Sequence, residues 1–197
     1  MALACLLIMA SCRPRVSAEQ GRPPPEPPEP LPVLSVEAKK DTIALSDRPP
    51  PRKGTQLVVQ KGAHRLSVVV DGTIVKSYRV AIGSGGMGQK QVEGDRMTPM
   101  GVYTITGKYP SRWHTYLSLS YPNEEDKRRF AELVSRGEVD ARRGPGSAIA
   151  IHGRRGDQRD KAHKERDWTL GCVALDNDEI DEVAALSKVG TPVVIEE

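Results

Sequence analysis

Cys172 stands directly after Gly171 and just ahead of an acidic helix start, in the segment DWTLGCVALDNDEI (residues 167–180). A buried structural thiol needs neither neighbour, whereas a nucleophile that a substrate must reach can use both. A free cysteine has a pKa of about 8.5, so at neutral pH it is mostly protonated and needs a base within reach. His152 is the strongest candidate, because it ends the apolar segment AIAIHG and Gly153 lets the chain turn immediately after it. Alone, such a histidine reads more readily as a satisfied core residue. Paired with Leu-Gly-Cys twenty residues on, it reads as the base that takes the thiol proton. His163 lies in the charged stretch RRGDQRDKAHKERD, which reads as mobile, and His64 and His114 are distant in sequence. Gly171 gives the backbone room to bend, so that the N–H groups of Gly171 and Cys172 can point at a developing oxyanion. A helix beginning near Asp176 adds a partially positive end close by, which favours thiolate.

The elements that must hold these groups are legible from Gly54 onward. TQLVVQKGAHRLSVVVDGTIVKSYRVAIG alternates apolar and polar residues, is rich in valine, and has Asp71-Gly72 between two runs, the signature of a tight hairpin. GVYTITGKY (101–109), SAIAIHG (147–153) and the terminal VVIEE read as further strands. NEEDKRRFAELVSRG predicts a helix with Asn123 as its N-cap, acids in the first turn and Gly137 past its end. DNDEIDEVAALSKVG predicts a second, with Asp176 and Glu179 as a capping box, an apolar stripe of Ile180, Val183 and Ala184, and Gly190 as the stop. Strands outnumber helices, which predicts a mainly-β sandwich or barrel carrying one or two helices.

The ends of the chain read differently. MALACLLIMASC is apolar from Met1 to Ala10, too short for a spanning helix and suited to an export signal, although no basic residue precedes it. Small residues at Ala10 and Ser11 before Cys12 resemble a bacterial lipoprotein processing box, in which Cys12 is lipidated; ordinary cleavage after Ala18 competes. Either reading makes residues 1–18 a signal and places the protein outside the cytoplasm, in the periplasm or cell envelope. Residues 19–53 hold RPPPEPPEPLP and RPPP, a proline density that favours an extended linker over a core. The hydrophobic fraction of 38% is correspondingly lean. The net charge of +3, without clustered basic residues interleaved with aromatics, excludes nucleic acid as the expected partner. Of the three cysteines, Cys5, Cys12 and Cys172, only the last lies in the folded body.

IHG followed by TLGCVALDN resembles the active-site signature of the L,D-transpeptidase catalytic (YkuD-type) family. GDRMTPMGVYTI (94–105), LSLSYPNEED (117–126) and GTPVVIEE (190–197) resemble further family segments in the same order, so the resemblance spans roughly residues 55 to 197, within a catalytic domain expected over 54–197. It implies a β-sandwich or barrel-like catalytic fold, peptidoglycan stem peptides as substrate, and a cysteine that forms a thioester while D-alanine leaves. An amine from another stem peptide or a protein then resolves the thioester, or water does, giving a hydrolase. By this resemblance Cys172 is the nucleophile, His152 the base, Gly171 the oxyanion glycine, Thr169 the Ser/Thr position and Asn177 the motif asparagine. Two residues depart from the pattern. Leu170 stands where the family often has a second histidine, and Ala174 where many members carry arginine. Both departures fit a YafK-like subgroup better and take two polar groups from the expected pocket.

Residues 154–168 hold six Lys/Arg and four Asp/Glu, which suits a solvated loop or a lid whose arginines grip stem-peptide carboxylates. Arg154 and Arg155, with Gly153, Trp168, Thr169 and Asn177, are the expected substrate-binding residues. GSGGMG (83–88) and GDRMTPMG read as turn and structural loop. No cofactor is expected, and His152, His163 and Cys172 have no recognised zinc spacing. A sortase needs an arginine on the strand after the cysteine, which VALDNDEIDEV does not supply. A wall-binding lipoprotein with a dead site is the rival outside enzymology.

Overall fold

The computed structural model describes residues 54–156 and 162–197. The signal, Cys12 and the proline-rich linker lie outside the described residues. Eight strands form one curled sheet in the order β3-β2-β1-β8-β4-β5-β6-β7. They are β1 (Thr55–Gln60), β2 (Arg65–Val70), β3 (Thr73–Arg79), β4 (Gly101–Ser111), β5 (His114–Leu119), β6 (Ala150–His152), β7 (Val173–Ala174) and β8 (Pro192–Glu196). Two helices, α1 (Glu124–Ser135) and α2 (Asn177–Leu186), complete the fold. The expected mainly-β architecture carrying one or two helices is the one observed, with two α-helices among the described residues.

The first apolar stretch makes three strands. Asp71 and Gly72 both take positive φ (49° and 80°) and turn β2 into β3, as hairpin turns matching strand twist require. A second turn at 61–64, closed by the His64 N–H on the Lys61 carbonyl at 2.9 Å, divides β1 from β2. Strand β1 alternates buried and half-buried residues, and Leu57 and Val59 enter the core with Leu66, Val68, Tyr103 and Ile195. Strand β4 is the hinge of the sheet. Its first residues pair with β8, and after an irregularity between Ile105 and Gly107 the rest pairs with β5. A bulge of this kind bends a strand and raises its twist, which curls the sheet.

The curl brings the two ends together. Ala81 exchanges hydrogen bonds with Ala174 at 2.8 and 3.0 Å, the Thr169 N–H donates to the Ile82 carbonyl at 3.1 Å, and Ser84 donates to Thr169 at 2.9 Å. The segment following β3 therefore lies against β7 and holds residues 169–174 on the side away from β6.

Both helices start as their caps predict. The Asn123 side chain accepts the Asp126 N–H at 2.9 Å while Asp126 accepts the Asn123 N–H at 3.1 Å. The Asp176 N–H donates to Glu179 at 3.0 Å. The second helix stops earlier than Gly190. Ser187 donates its hydroxyl to the Val183 carbonyl at 2.7 Å, and Gly190 (φ 89°) serves the turn that follows.

Candidate active site

Strand register builds the site. On β6, His152 lies opposite Tyr116 of β5 and Ala174 of β7, while Ile151 lies opposite Leu117 and Val173. Ile151, Val173 and Leu175 belong to the core. Because successive side chains alternate, Tyr116, His152 and Cys172, which just precedes β7, share the other face. His152 and Cys172 are thus diagonal neighbours on adjacent strands, a spacing of about 7 Å between backbones.

His152 is almost fully buried, at 3% exposure. Its ring lies parallel to that of Tyr116 at 5.9 Å and is enclosed by Trp113 at 5.2 Å and Trp168 at 6.0 Å. The Nδ1 atom is 2.6 Å from the Gly153 carbonyl oxygen. A carbonyl only accepts, so Nδ1 carries the hydrogen and Nε2 is left with a free lone pair. Burial is the main cause that pushes the His152 pKa down to about 4; the nearby His163 lowers it further and the Gly153 carbonyl opposes. The imidazole is therefore neutral and able to receive a proton.

The turn after His152 is held by the start of α2. The Asn177 side-chain oxygen accepts the Arg154 N–H at 2.9 Å. A β-carbon on Gly153 would stand 2.5 Å from that same oxygen and 2.9 Å from the Trp113 carbonyl, so only glycine fits. Asn177 thereby fixes the peptide whose carbonyl fixes the tautomer of His152.

Cys172 is half-buried and is a free thiol. Its Sγ lies 3.6 Å from the Ala148 carbonyl, which also accepts the Tyr116 hydroxyl at 3.1 Å. Burial pushes the thiol pKa up, while a hydrogen bond from the Ala150 backbone and the charge of Lys90 pull it back. The resting site accordingly carries a neutral thiol and a neutral imidazole on one face of the sheet. Burial also pushes the Tyr116 pKa up to about 12, and the next cause is the sulfur of Cys172, so that hydroxyl and thiol are electrostatic neighbours.

The turn before the cysteine is tied by Thr169. Its hydroxyl donates to the Cys172 carbonyl at 2.6 Å and accepts the Gly171 N–H at 3.1 Å. An oxyanion role for the Gly171 N–H requires that bond to be given up. Gly171 itself has φ 132°, and a β-carbon there would stand 2.9 Å from Ile149 and from the Met97 carbonyl.

The other expected site residues gather at the His152 end. Trp168 is half-buried between Trp113, His152 and His163. Arg155 stands over the Trp113 ring at 5.6 Å. His163 and Lys164, which read in sequence as part of a charged surface loop, are buried instead. His163 bonds Asp176 at 2.9 Å, and Lys164 bonds Asp176 at 2.8 Å and Glu179 at 2.6 Å. The buried carboxylates of Asp176 and Glu179 at the start of α2 thereby gain donors, which is why His163 and Lys164 leave the surface. Ala174 is completely buried at the sheet seam, so it presents no surface to a substrate. Of the two departures from the family pattern, only Leu170, 73% exposed, faces solvent. Sequence reading missed Trp113, Tyr116 and Ala148. The strand alternation of HTYLSL was the signal for Tyr116; nothing local marks Ala148, whose φ of 58° is unusual for alanine.

Residues 54–195 match the YkuD L,D-transpeptidase catalytic domain. The chain belongs to this family. It is 28% identical over 113 residues to YafK of Escherichia coli K12, covering 56% of this chain and 36% of YafK. Among solved structures it resembles a variant of the helical cell shape determining protein Pgp2 of Campylobacter jejuni, with 26% identity, TM-score 0.54, and coverage of 73% of this chain and 47% of that one. Bd1075 of Bdellovibrio bacteriovorus has the same fold, with 23% identity, TM-score 0.51 and coverage of 73% and 48%. The chain thus spans about a third to a half of the length of these relatives.

Proposed function

We propose that this protein transfers acyl groups of peptidoglycan stem peptides through a thioester on Cys172, remodelling or cross-linking the cell wall. The observation that carries this is the placement of Cys172 and His152 on one sheet face, with the lone pair of His152 Nε2 freed by the bond of Nδ1 to Gly153. His152 Nε2 takes the thiol proton as sulfur attacks the carbonyl between the diamino acid and D-alanine. The carbon–sulfur bond forms, the carbon–nitrogen bond breaks, and the imidazolium returns its proton to the departing amine of D-alanine. An acceptor amine then attacks the thioester, gives a proton to Nε2, and releases the thiol. Water in place of the amine gives hydrolysis. The Cys172 N–H supports the oxyanion, joined by the Gly171 N–H when Thr169 releases it.

Because the thiol pKa is raised and that of His152 lowered, the ion pair does not pre-exist. Proton transfer is coupled to attack, and the free enzyme stays unreactive toward bystander electrophiles. Mass spectrometry of muropeptides incubated with the protein tests the reading. A mass on Cys172 equal to the donor minus D-alanine, absent from Cys172→Ser and much reduced in His152→Ala, is expected. Turnover by Cys172→Ser at the normal rate would sink it. Cross-linked products indicate the amine acceptor and trimmed stems indicate water.

Lipidation of Cys12 and an envelope location complete the proposal, resting on the MASC segment after an apolar run. Incorporation of labelled palmitate that is lost in Cys12→Ala is the test.

A further inference from the structure

A cavity of about 370 Å³ opens beside the nucleophile, on the side of Leu170. Its apolar wall is Ile149 and Leu170, and its polar lining includes Lys90, Glu93 and Arg96. The Ile149 side chain abuts Gly171, and Leu170 precedes that glycine, so the cavity begins next to the turn that carries Cys172. The volume is at the small end for ligand pockets.

The charges in it are unequal. Lys90 is buried and its Nζ is held by Asp95 at 2.6 Å and by the Val92 carbonyl at 3.1 Å, so it is already neutralised. Arg96 and Glu93 are exposed, and neither side chain is hydrogen-bonded or ion-paired to another described residue. Arg96 also holds φ 58°, a left-handed conformation that costs a non-glycine residue energy. Its carbonyl is fixed there by the Gly85 N–H at 2.9 Å. A cation and an anion, both without side-chain partners among the described residues, thus line an apolar-walled cavity next to Cys172. That pairing suits a ligand with an aliphatic stem ending in an ammonium and a carboxylate.

Resting on the acyl-transfer reading above, we infer that this cavity takes the side-chain end of the stem peptide's diamino acid. Ile149 and Leu170 contact its methylenes, Arg96 holds its carboxylate bidentately and Glu93 holds its ammonium. Arg154 and Arg155, at the His152 end, are not the residues that read this group. The other carboxylate near the scissile bond is that of the departing D-alanine, and the test separates the two.

Four tetrapeptide donors are compared: one with meso-diaminopimelate, one with its side-chain carboxylate amidated, one with L-lysine in its place, and a meso-diaminopimelate donor ending in D-alaninamide. Acylation of Cys172 gives kcat/KM, and calorimetric binding to Cys172→Ala reads selectivity apart from chemistry. The zwitterionic donor is expected to exceed the amidated and lysine donors by about 10-fold or more, the worth of one charged hydrogen bond. Arg96→Ala removes that preference and leaves the lysine donor unchanged; Arg96→Lys restores part of it. The D-alaninamide donor responds to Arg96→Ala as the parent does. Equal loss on all donors, or an Arg96 effect that vanishes for D-alaninamide, overturns the assignment. If no donor acylates Cys172 but the zwitterionic donor still binds Cys172→Ala in an Arg96-dependent way, acyl transfer falls and the subsite stands. If binding is also indifferent to Arg96, the subsite falls.

Discussion

Asn177 never needs to touch a substrate to matter. Its side-chain oxygen holds the Arg154 N–H at 2.9 Å, and the peptide so fixed presents the Gly153 carbonyl to His152 Nδ1 at 2.6 Å. In Asn177→Ala the Arg154 N–H loses its acceptor and a small void opens beside Gly153. A lost hydrogen bond of this kind costs about 1–2 kcal/mol, which in a domain of this size lowers the melting temperature by roughly 3–6 °C. Freed from Asn177, the Gly153 carbonyl turns, and His152 loses the bond that fixes its tautomer. General bases contribute about 100-fold or more when aligned, and a partly misaligned one should cost about 10-fold in the acylation of Cys172. Asn177→Asp keeps the acceptor, so it restores stability, but it adds a negative charge near His152. That charge favours the imidazolium and raises the His152 pKa from about 4. The base works only when neutral, so the rate of Asn177→Asp begins to fall at a higher pH than that of the parent. The assay is the pH dependence of acylation alongside thermal unfolding of the three proteins. If both variants change the melting temperature alone and the acidic limb of the rate stays where it was, Asn177 does not act through His152.

Four further outcomes are expected. Stability should fall with acid: His152 binds its proton at about 4 in the folded chain and 6.5 in the unfolded one, so the unfolded state gains protons first. The loss runs from about pH 6.5 down to about 4 and reaches roughly 3 kcal/mol, and denaturant unfolding of His152→Gln should show a shallower fall. Alkylation of Cys172 by iodoacetamide should remain slow at neutral pH and climb only above 9, because burial raises the thiol pKa; rapid alkylation at pH 7 contradicts the neutral resting pair. Gly171→Ala places a β-carbon 2.9 Å from Ile149 and the Met97 carbonyl at φ 132°, and should destabilise by about 2–4 kcal/mol in denaturant unfolding. Ala174→Arg puts a charge into a fully buried seam and should lower stability by about 3 kcal/mol or more, whereas Leu170→His on the exposed rim should leave unfolding nearly unchanged.

What the sequence made legible depended on how local the cause was. The caps at Asn123 and Asp176 are decided within four residues, and both helices begin where those residues say. The turn at Asp71-Gly72 is equally local. Cys172 and His152 were singled out through chemistry and spacing, and the register of β6 and β7 puts the two on one face of the sheet. Strand β5 alternates visibly in HTYLSL and pairs with β4 directly across the turn at residues 112–113, whereas β7 was not legible, because it has only two residues and pairs with β6 across the long 153–172 segment. The same holds for the 162–164 segment. Nothing in the composition of RRGDQRDKAHKERD distinguishes a solvated loop from one whose His163 and Lys164 dock on Asp176 and Glu179. The end of α2 was misjudged because Ser187 competes for the Val183 carbonyl before Gly190 is reached.

The two departures from the family pattern carry different physical weight once the seam is seen. Position 174 closes the curled sheet by exchanging two hydrogen bonds with Ala81, and in this chain it holds a side chain small enough to be buried there. Its loss of a polar group leaves the accessible site unaltered. Position 170 is the opposite case. Leu170 replaces an imidazole on the rim of the cavity beside Cys172 and leaves an apolar wall facing Arg96 and Glu93. A second histidine at this rim would offer another proton acceptor near the sulfur and another polar contact for the donor. Under the proposed mechanism, its absence assigns proton transfer to His152 and discrimination among donors to the charged residues lining the cavity. On the proposed reading, the chemistry and the selectivity of this chain reside on separate elements. The proposed chemistry lies on β6 and the turn into β7, and the proposed selectivity on the loop between β3 and β4, so substitutions in one should leave the other measurable.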